Sequence, residues 1–292
     1  LGYHRQLKRD RRMFFLGIRG RMVRMMRMNI LITGANGTVG KAVAEAARAQ
    51  GDTVFAWDRS IAPPDDPSAG ERLIDTTRPD AILHLAIPSQ GTGRPDEGRL
   101  VNIDWTRHLA SCCRQRGLRF LYASTAMVFT DFAKGPFYVD APPDATEGYG
   151  GEKRRGELAA LEVYPLTIVT RLGWQIGHAP GGNNMLEFLV NKMKTDGVIG
   201  ASRKWLPATS FVTDTAAALL RLARGNGSGI YQINANDRWN FLEIVLALNQ
   251  RHGGTWRVEG NDDFVYDQRL IDDRTGMPPL ADSLPELLSV SA

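Results

Sequence analysis

The sequence has little cysteine and no apolar run long enough to cross a bilayer. Its 292 residues include two cysteines, Cys112 and Cys113. As neighbours in a helical pattern they are poorly placed to bridge each other, and neither has a metal-ligand spacing. A membrane span needs about 20 apolar residues, whereas the best run covers only residues 13–18. Repeats and low-complexity linkers are also missing. We therefore expect a cytoplasmic protein that binds neither a membrane nor a metal.

Basic charge is concentrated in the first 28 residues. They hold nine basic side chains and one acid, so the rest of a chain with formal net charge +4 is acidic by four. Three interpretations of residues 1–27 stay open: a surface for nucleic acid or anionic lipid, an Arg-rich targeting segment, or a disordered extension from a start assigned too far upstream. We expect the last, and no nucleic-acid partner.

Apolar runs alternate with helical patterns from residue 29 to residue 172. Strands are predicted at 29–33, 53–57, 81–86, 119–124 and 166–172, separated by helices, which indicates parallel pairing with right-handed crossovers. After residue 173 the alternation loosens, and the last forty residues are predicted to be irregular. We expect an α/β fold, a Rossmann doubly wound parallel sheet with a small C-terminal substrate lobe. The expected cofactor domain covers 28–172, with 210–235 returning to it, and the lobe covers 173–209 and 236–292.

A glycine-rich turn lies between the first predicted strand and the first helix. Gly34, Gly37 and Gly40 follow the strand at three-residue intervals. Such glycines allow a tight turn, close approach of the backbone to a pyrophosphate, and close packing of helix on strand. The helix N-terminus adds unpaired N–H donors and partial positive charge. A dinucleotide site is therefore predicted, with these cofactor-binding residues: Gly34, Asn36, Gly37, Thr38, Val39 and Gly40.

Two residues at the end of the second predicted strand bear on the choice between NAD and NADP. Asp58 can hold the ribose hydroxyls of NAD, whereas Arg59 beside it can meet a 2′-phosphate. Both cofactors stay open, and the position of the acid favours NAD.

A phenol and an ammonium lie on one face of a predicted helix. Tyr149 and Lys153 are four residues apart. Reduction of a carbonyl by hydride leaves an alkoxide that needs a proton, and tyrosine supplies it well if a nearby cation lowers its pKa. Both residues are also expected to contact the cofactor. Ser124 and Thr125 end the fourth strand, at the sheet edge where ligands bind, so one hydroxyl is expected to hold the substrate oxygen.

These motifs resemble those of the extended short-chain dehydrogenase/reductases, and within them the dTDP-4-dehydrorhamnose reductase family. The similarity runs from about residue 28 to residue 287. Besides the glycine turn and the Tyr149–Lys153 pair, it rests on four stretches: Arg78-Pro-Asp-Ala-Ile-Leu-His-Leu-Ala86, Val101-Asn102, Ser124-Thr-Ala-Met-Val-Phe129 and Arg171-x-x-Trp174-x-x-Gly177. Departures include Ala126 and Met127, in place of the motif's aspartate and tyrosine, and Glu152, where a small or hydroxyl residue is common.

The resemblance implies further site residues. It makes Thr125 the catalytic hydroxyl and gives Asn102 a role in ordering the active site. It also implies that the backbone after the third strand, at Leu85, Ala86 and Ile87, lies along the cofactor. Ser124, Ala126 and Trp174 are expected to bind substrate.

The sequence therefore predicts an NAD(P)H-dependent reductase of a keto group on a nucleotide-linked sugar or a similar polar carbonyl compound. Two alternatives stay open. An epimerase or dehydratase of the same fold would recycle bound NAD, although the acidic pair typical of that group is replaced here by Ala126 and Met127. A non-catalytic regulatory subunit would bind cofactor only. The expected partner is a small-molecule substrate, and a homodimer is an option that the fold commonly takes.

Overall fold

A computed structural model describes residues 14–18, 21–25, 27–88 and 96–290 of the chain. The first two of these segments form an antiparallel pair, Phe14–Ile18 with Arg21–Met25. The rest of 1–26 lies outside the described residues, and the expectation of an extension from a start assigned too far upstream stays a prediction. Within the described ranges no helix combines the length and apolar character needed to span a membrane.

The strands are short and spread over the whole described chain. They are β1 Phe14–Ile18, β2 Arg21–Met25, β3 Asn29–Thr33, β4 Thr53–Ala56, β5 Ala81–His84, β6 Arg119–Thr125, β7 Phe137–Tyr138, β8 Ile168–Leu172, β9 Trp174–Ile176, β10 Ile199–Ser202, β11 Trp205–Leu206, β12 Thr209–Phe211, β13 Gly229–Ile233, β14 Val258–Asn261, β15 Tyr266–Asp267 and β16 Leu270–Ile271.

The helices alternate with the strands over the first two thirds of the chain. They are α1 Thr38–Ala49, α2 Pro67–Thr77, α3 Glu97–Arg99, α4 Trp105–Arg116, α5 Gly148–Val163, α6 Met185–Asp196, α7 Val212–Arg224, α8 Phe241–Arg251, α9 Leu280–Ser283 and α10 Leu287–Val290. A π-helical turn, Leu100–Asp104, joins α3 to α4.

Six parallel strands form the central sheet in the order β13-β8-β6-β5-β3-β4. Successive side chains along β3 point to opposite faces of the sheet, so this strand contributes to the core on each face. Ile30 and Ile32 enter a core with α1 and α7, and Leu31 enters the opposite core with α4 and α5. The predicted Rossmann α/β fold is confirmed, and it brings the carboxyl ends of all six strands to one edge.

Two regions differ from the expected secondary structure. Helix α2 was not predicted, although Asp66 and Pro67 carry its start signals: the Asp66 side chain accepts from the Ala69 N–H at 3.0 Å, and Pro67 occupies the first turn. The prediction of an irregular C-terminal stretch is also wrong. There β14, β15 and β16 pair in parallel with β10, β11 and β7.

Candidate active site

The glycine turn is a close-fitting backbone cradle at the N-terminus of α1. Gly34 has φ +70°, and a Cβ on it would lie 2.8 Å from the Ala86 backbone. A Cβ on Gly40 would collide with the Gly34 carbonyl oxygen. The N-cap residue, Gly37, offers no side-chain cap, so the first amides of the helix are left for a ligand to bind.

Thr38 provides an observation that tests whether this cradle fits a cofactor. Its Oγ1 is buried and lacks a hydrogen-bond partner within the described part of the chain. A Cβ on Gly182 would lie 2.8 Å from this oxygen, so the loop that precedes α6 runs across the start of α1. A buried hydroxyl without a partner costs free energy, and a phosphate oxygen of a dinucleotide would satisfy it. The cradle therefore fits the predicted cofactor. Sequence patterns gave no indication of Gly182, because it comes close only through folding.

Asp58 and Arg59 lie beyond the end of β4 and differ in how they are held. The exposed Asp58 carboxylate accepts from the Ser60 hydroxyl at 2.7 Å and the Ser60 N–H at 2.8 Å, both at Oδ1, and these bonds lower its pKa. The Arg59 guanidinium instead donates to the Ile87 carbonyl at 2.8 Å and lies 3.6 Å from the Glu97 carboxylate. It also stacks over the Trp105 ring at 5.4 Å.

The segment after β5 forms the next part of the same edge. The Ala86 N–H donates to Thr33 Oγ1 at 3.2 Å, and that hydroxyl also contacts His84 Nδ1 at 2.7 Å. These bonds fix the backbone of Leu85 and Ala86 directly beside Gly34. Ile87, the next residue, is 46 % exposed.

Tyr149 and Lys153 lie on the first two turns of α5. Lys153 is buried, donates to the Ala123 carbonyl at 2.8 Å, and places its Nζ 4.7 Å from the Tyr122 ring centroid and 5.9 Å from that of Tyr149. Tyr149 is 38 % exposed. The helix reaches this position because Gly150 has no side chain: a Cβ there would collide with the Met127 carbonyl.

The two pKa values differ from what the spacing alone indicates. Burial raises the pKa of Tyr149 to about 12, and the Glu152 carboxylate adds to that shift. Burial lowers the pKa of Lys153 to about 7, against the opposing effect of the Glu157 and Glu152 carboxylates. The expectation that Lys153 lowers the pKa of Tyr149 is thus wrong in this structure. Burial and the Glu152 carboxylate both raise this pKa, and the phenol stays protonated at neutral pH.

The strand-end hydroxyls have different surroundings. Thr125 Oγ1 accepts from the Met127 N–H at 3.2 Å and caps the short turn Ala126–Val128. Ser124 Oγ donates to Glu157 Oε1 at 2.5 Å, and Glu157 forms a buried bidentate ion pair with Arg171 at 3.0 and 2.8 Å. The Ser124 hydroxyl is therefore engaged inside the fold, and its predicted contact with substrate stays a prediction. Ala126 is buried beside it.

Asn102 reaches the site from the π-helical turn. Its Nδ2 donates to Glu152 Oε2 at 2.9 Å, and its backbone carbonyl accepts from the Tyr122 hydroxyl at 3.2 Å. Asn102 Oδ1 is buried and has no partner among the described residues. Gly156 allows this approach, because a Cβ on it would collide with the Asn102 carbonyl. The Asn102–Glu152 bond is a feature that the sequence motifs did not reveal.

Trp174 is the first residue of β9, just after β8, and belongs to an aromatic cluster. Its ring lies 5.3 Å from Phe188, 6.1 Å from Trp205 and 6.1 Å from Phe241, measured between centroids. Phe188 is 45 % exposed, so the cluster reaches the surface. Such a cluster offers stacking faces to a planar or sugar ligand.

Known proteins resemble this chain along most of its length. The family model described as RmlD substrate binding domain matches residues 28–251. A dTDP-4-dehydrorhamnose reductase from Streptomyces griseus is 30 % identical over 225 residues, covering 73 % of each chain. A dTDP-4-keto-6-deoxy-D-glucose reductase from Streptomyces niveus is 26 % identical over 206 residues, covering 69 % of this chain and 70 % of that one.

Solved structures share the fold. A dTDP-4-dehydrorhamnose reductase from Bacillus anthracis in complex with NADP has a TM-score of 0.75 and 18 % identity, covering 90 % of this chain and 99 % of that one. The enzyme WbmG from Bordetella bronchiseptica in complex with NAD and UDP has a TM-score of 0.70 and 20 % identity, covering 90 % and 94 %.

Proposed function

Because this chain belongs to the RmlD substrate binding domain family, we propose that it is an NAD(P)H-dependent oxidoreductase that reduces a keto group on a nucleotide-linked sugar. The sequence resemblance to the extended short-chain dehydrogenase/reductases is confirmed by the same comparisons. The observation that supports this proposal most directly is the position of Tyr149. It lies on the helix that holds buried Lys153, and that helix packs against the turn after Thr125. This supports a role for Tyr149 as the proton donor at the sheet edge that carries the glycine cradle.

The cofactor would be held by the cradle and by the two strand ends beside it. The amides at the start of α1 and the Thr38 hydroxyl would bind the pyrophosphate, and the Asp58 carboxylate would accept hydrogen bonds from the ribose hydroxyls. The backbone at Leu85, Ala86 and Ile87 borders the same space. When bound, the nicotinamide supplies the hydride.

Tyr149 is the proton donor in this proposal. Its raised pKa keeps the phenol protonated at neutral pH, which is the form that a general acid needs when an alkoxide develops. Thr125 assists as a hydrogen-bond donor. Its Oγ1 already accepts from the Met127 N–H, so its own hydrogen points elsewhere, and we assign the substrate carbonyl oxygen as its acceptor.

Lys153 and Asn102 position the donor from behind. Lys153 is anchored to the Ala123 carbonyl on β6, and from there it would hold the nicotinamide ribose. Asn102 holds the Glu152 carboxylate on the same helix as Tyr149. The buried Asn102 Oδ1 without a described partner fits an ordered water in the active site.

The coenzyme preference follows from the way the two strand-end residues are held. Arg59 is engaged by the Ile87 carbonyl, the Glu97 carboxylate and the Trp105 ring, so recruiting it to a 2′-phosphate means breaking contacts. Asp58 is exposed and ionised, and it repels a 2′-phosphate while accepting from a ribose diol. We propose a preference for NADH over NADPH.

The aromatic cluster around Trp174 is the proposed binding surface for the substrate. Trp174, with Phe188 beside it at the surface, presents a ring face for the sugar nucleotide. Ser124 and Ala126 complete this side of the proposed site. The names of the relatives point to a dTDP-linked 4-keto sugar as substrate.

Two further proposals concern setting and assembly. Both cysteines are buried free thiols, which suits the reducing cytoplasm. A homodimer, an option that the fold commonly takes, is the second proposal. Size-exclusion chromatography with light scattering measures this directly, and a monomer at micromolar concentration would contradict it.

The function is tested by following NADH and NADPH absorbance with purified protein and dTDP-4-dehydrorhamnose. Net oxidation of cofactor that depends on the sugar is expected. A sugar that is converted without net oxidation would contradict the reductase and favour an epimerase. Cofactor binding without conversion of any keto sugar would favour a regulatory subunit.

A further inference from the structure

A second cluster of chemically active side chains lies outside the active site, between α2 and α4. Glu71 on α2 faces His108 and Cys112 on α4, and the candidate ligand atoms of the three side chains all lie within 4.8 Å of one another. His108 and Cys112 are four residues apart, so they share one helix face. The proposed hydride chemistry uses none of the three.

The distance between the histidine and cysteine ligand atoms is close to that expected in a metal site. His108 Nε2 lies 3.4 Å from Cys112 Sγ. Bonds of about 2.3 Å to sulfur and 2.05 Å to imidazole nitrogen at a tetrahedral angle would separate these atoms by about 3.6 Å. His108 and Cys112 therefore need to move only slightly to coordinate an ion with tetrahedral geometry. Glu71 can become the third ligand by rotating its side chain.

The surroundings give the site an enclosed side and an open side. Cys112 is 1 % exposed, and His108 packs against Gly70, whose added Cβ would lie 3.9 Å from His108 Nε2. The Glu71 side chain is 45 % exposed, which leaves a route for an ion and a place for a water as fourth ligand. Three protein ligands with a water is a common zinc coordination.

The charges nearby are compatible with a divalent ion. Arg116 is the neighbouring cation, and Asp75 holds it with hydrogen bonds of 2.8 and 3.2 Å, with Glu71 Oε2 at 3.3 Å. The thiol of Cys112 must lose its proton to solvent so that sulfur can donate an electron pair. With a divalent ion bound, the charges of this thiolate, Glu71, Asp75, Arg116 and the ion then cancel.

We propose that Glu71, His108 and Cys112 form a binding site for a thiophilic divalent cation, with Zn²⁺ as the ion of choice, that clips α2 to α4. This proposal differs from the sequence-based prediction that the chain has no metal site. The sequence could not reveal it, because the acid comes from a different helix, 37 residues before the histidine.

The test uses the full chain, stripped with chelator and titrated with Zn²⁺, and with Co²⁺ as a spectroscopic probe. We expect one ion per chain at this site, a thiolate-to-cobalt charge-transfer band, and a higher melting temperature with Zn²⁺, since an ion that binds only the folded chain stabilises it. The band should disappear in Cys112→Ser and persist in Cys113→Ala, which removes the neighbouring buried thiol.

A second pair of variants keeps the proposal testable if a core substitution unfolds the chain. Glu71→Gln removes a half-exposed ligand and should weaken Zn²⁺ binding by at least about tenfold, the lower end of what even an outer partner contributes. Asp75→Asn changes the same charge beside Arg116 without removing a ligand, and should have a smaller effect. Absence of a cobalt band in the unchanged chain, a band that survives Cys112→Ser, or equal effects of Glu71→Gln and Asp75→Asn would overturn the proposal.

Discussion

The ammonium of Lys153 on α5 donates to the carbonyl of Ala123 on β6 at 2.8 Å, in the buried layer behind the sheet edge. This bond ties the helix that presents Tyr149 to the strand that ends in Thr125. A buried ammonium is costly unless it is hydrogen-bonded or discharged, and the lowered pKa of Lys153 reflects that cost. The proposed catalytic arrangement is thus held together by a group that is itself poorly solvated.

The pH dependence of stability should show the cost of burying Lys153. Its pKa falls from 10.5 to about 7 on folding, so the unfolded chain binds the proton more tightly and stability rises with pH between these values. In Lys153→Met this contribution is missing. Between pH 7 and pH 9 the melting temperature of the unchanged chain should rise by about 3 °C or more relative to the variant. Parallel thermal melts of both chains measure it, and parallel curves across this interval would contradict a buried, discharged lysine.

Glu152 should control the alkaline limb of the pH profile. Its carboxylate raises the pKa of Tyr149 and of Lys153, so Glu152→Gln lowers both. Since the proposed reaction uses the protonated phenol of Tyr149, the alkaline limb of kcat/KM should move to lower pH, by about one unit or less. Glu162→Gln is the matched control, because Glu162 lies on the same helix in an exposed pair with Arg107. An unchanged limb in Glu152→Gln would contradict this role.

The cradle should be intolerant of a methyl group at Gly40. Gly40→Ala places a Cβ against the Gly34 carbonyl, so the turn must open, and we expect cofactor affinity to fall by about tenfold or more, a loss of roughly 1.4 kcal/mol. Gly117→Ala is the control for general strain. Gly117 has φ +65° with nothing within 4 Å of an added Cβ, so stability falls modestly while cofactor affinity is retained. Titration of NADH fluorescence gives the cofactor affinity of each variant. Similar affinities for the two variants would count against the cradle.

Coenzyme preference should depend on the charge of Asp58. In Asp58→Asn the repulsion of a 2′-phosphate is removed and acceptance from the ribose hydroxyls is weakened. The ratio of kcat/KM for NADPH to that for NADH should therefore rise by about tenfold, which corresponds to 1.4 kcal/mol. Asp196→Asn, an exposed acid on α6, should leave the ratio unchanged. A ratio that stays constant in Asp58→Asn would contradict the proposed preference.

Local sequence patterns predicted the parts of this molecule that depend on near neighbours. The strand at 29–33, the glycine turn and the spacing of Tyr149 and Lys153 follow from periodicity and spacing within a few residues. Patterns of that kind carry no information on burial. The raised pKa of Tyr149 was therefore not predicted, because it depends on how α5 packs on the turn after β6.

Contacts between distant segments were not predictable for the same reason. Ser124, Glu157 and Arg171 meet from a strand, a helix and a further strand, and nothing in their separations indicates that Ser124 turns toward the buried pair. The two-residue strands β15 and β16 are too short to show any periodicity. Their pairing with β11 and β7 is set by tertiary packing, and so the C-terminal stretch looked irregular.

The most direct measurement follows deuterium from the transferring position of labelled NADH into the sugar product, in a single turnover with dTDP-4-dehydrorhamnose. We predict deuterium on the carbon that carried the keto group. With NADH at saturating concentration, Tyr149→Phe should slow this transfer by about 10²–10⁴-fold, the usual contribution of a general acid. Absence of label in the sugar although NADH is bound, or an unchanged rate in Tyr149→Phe, would contradict the account.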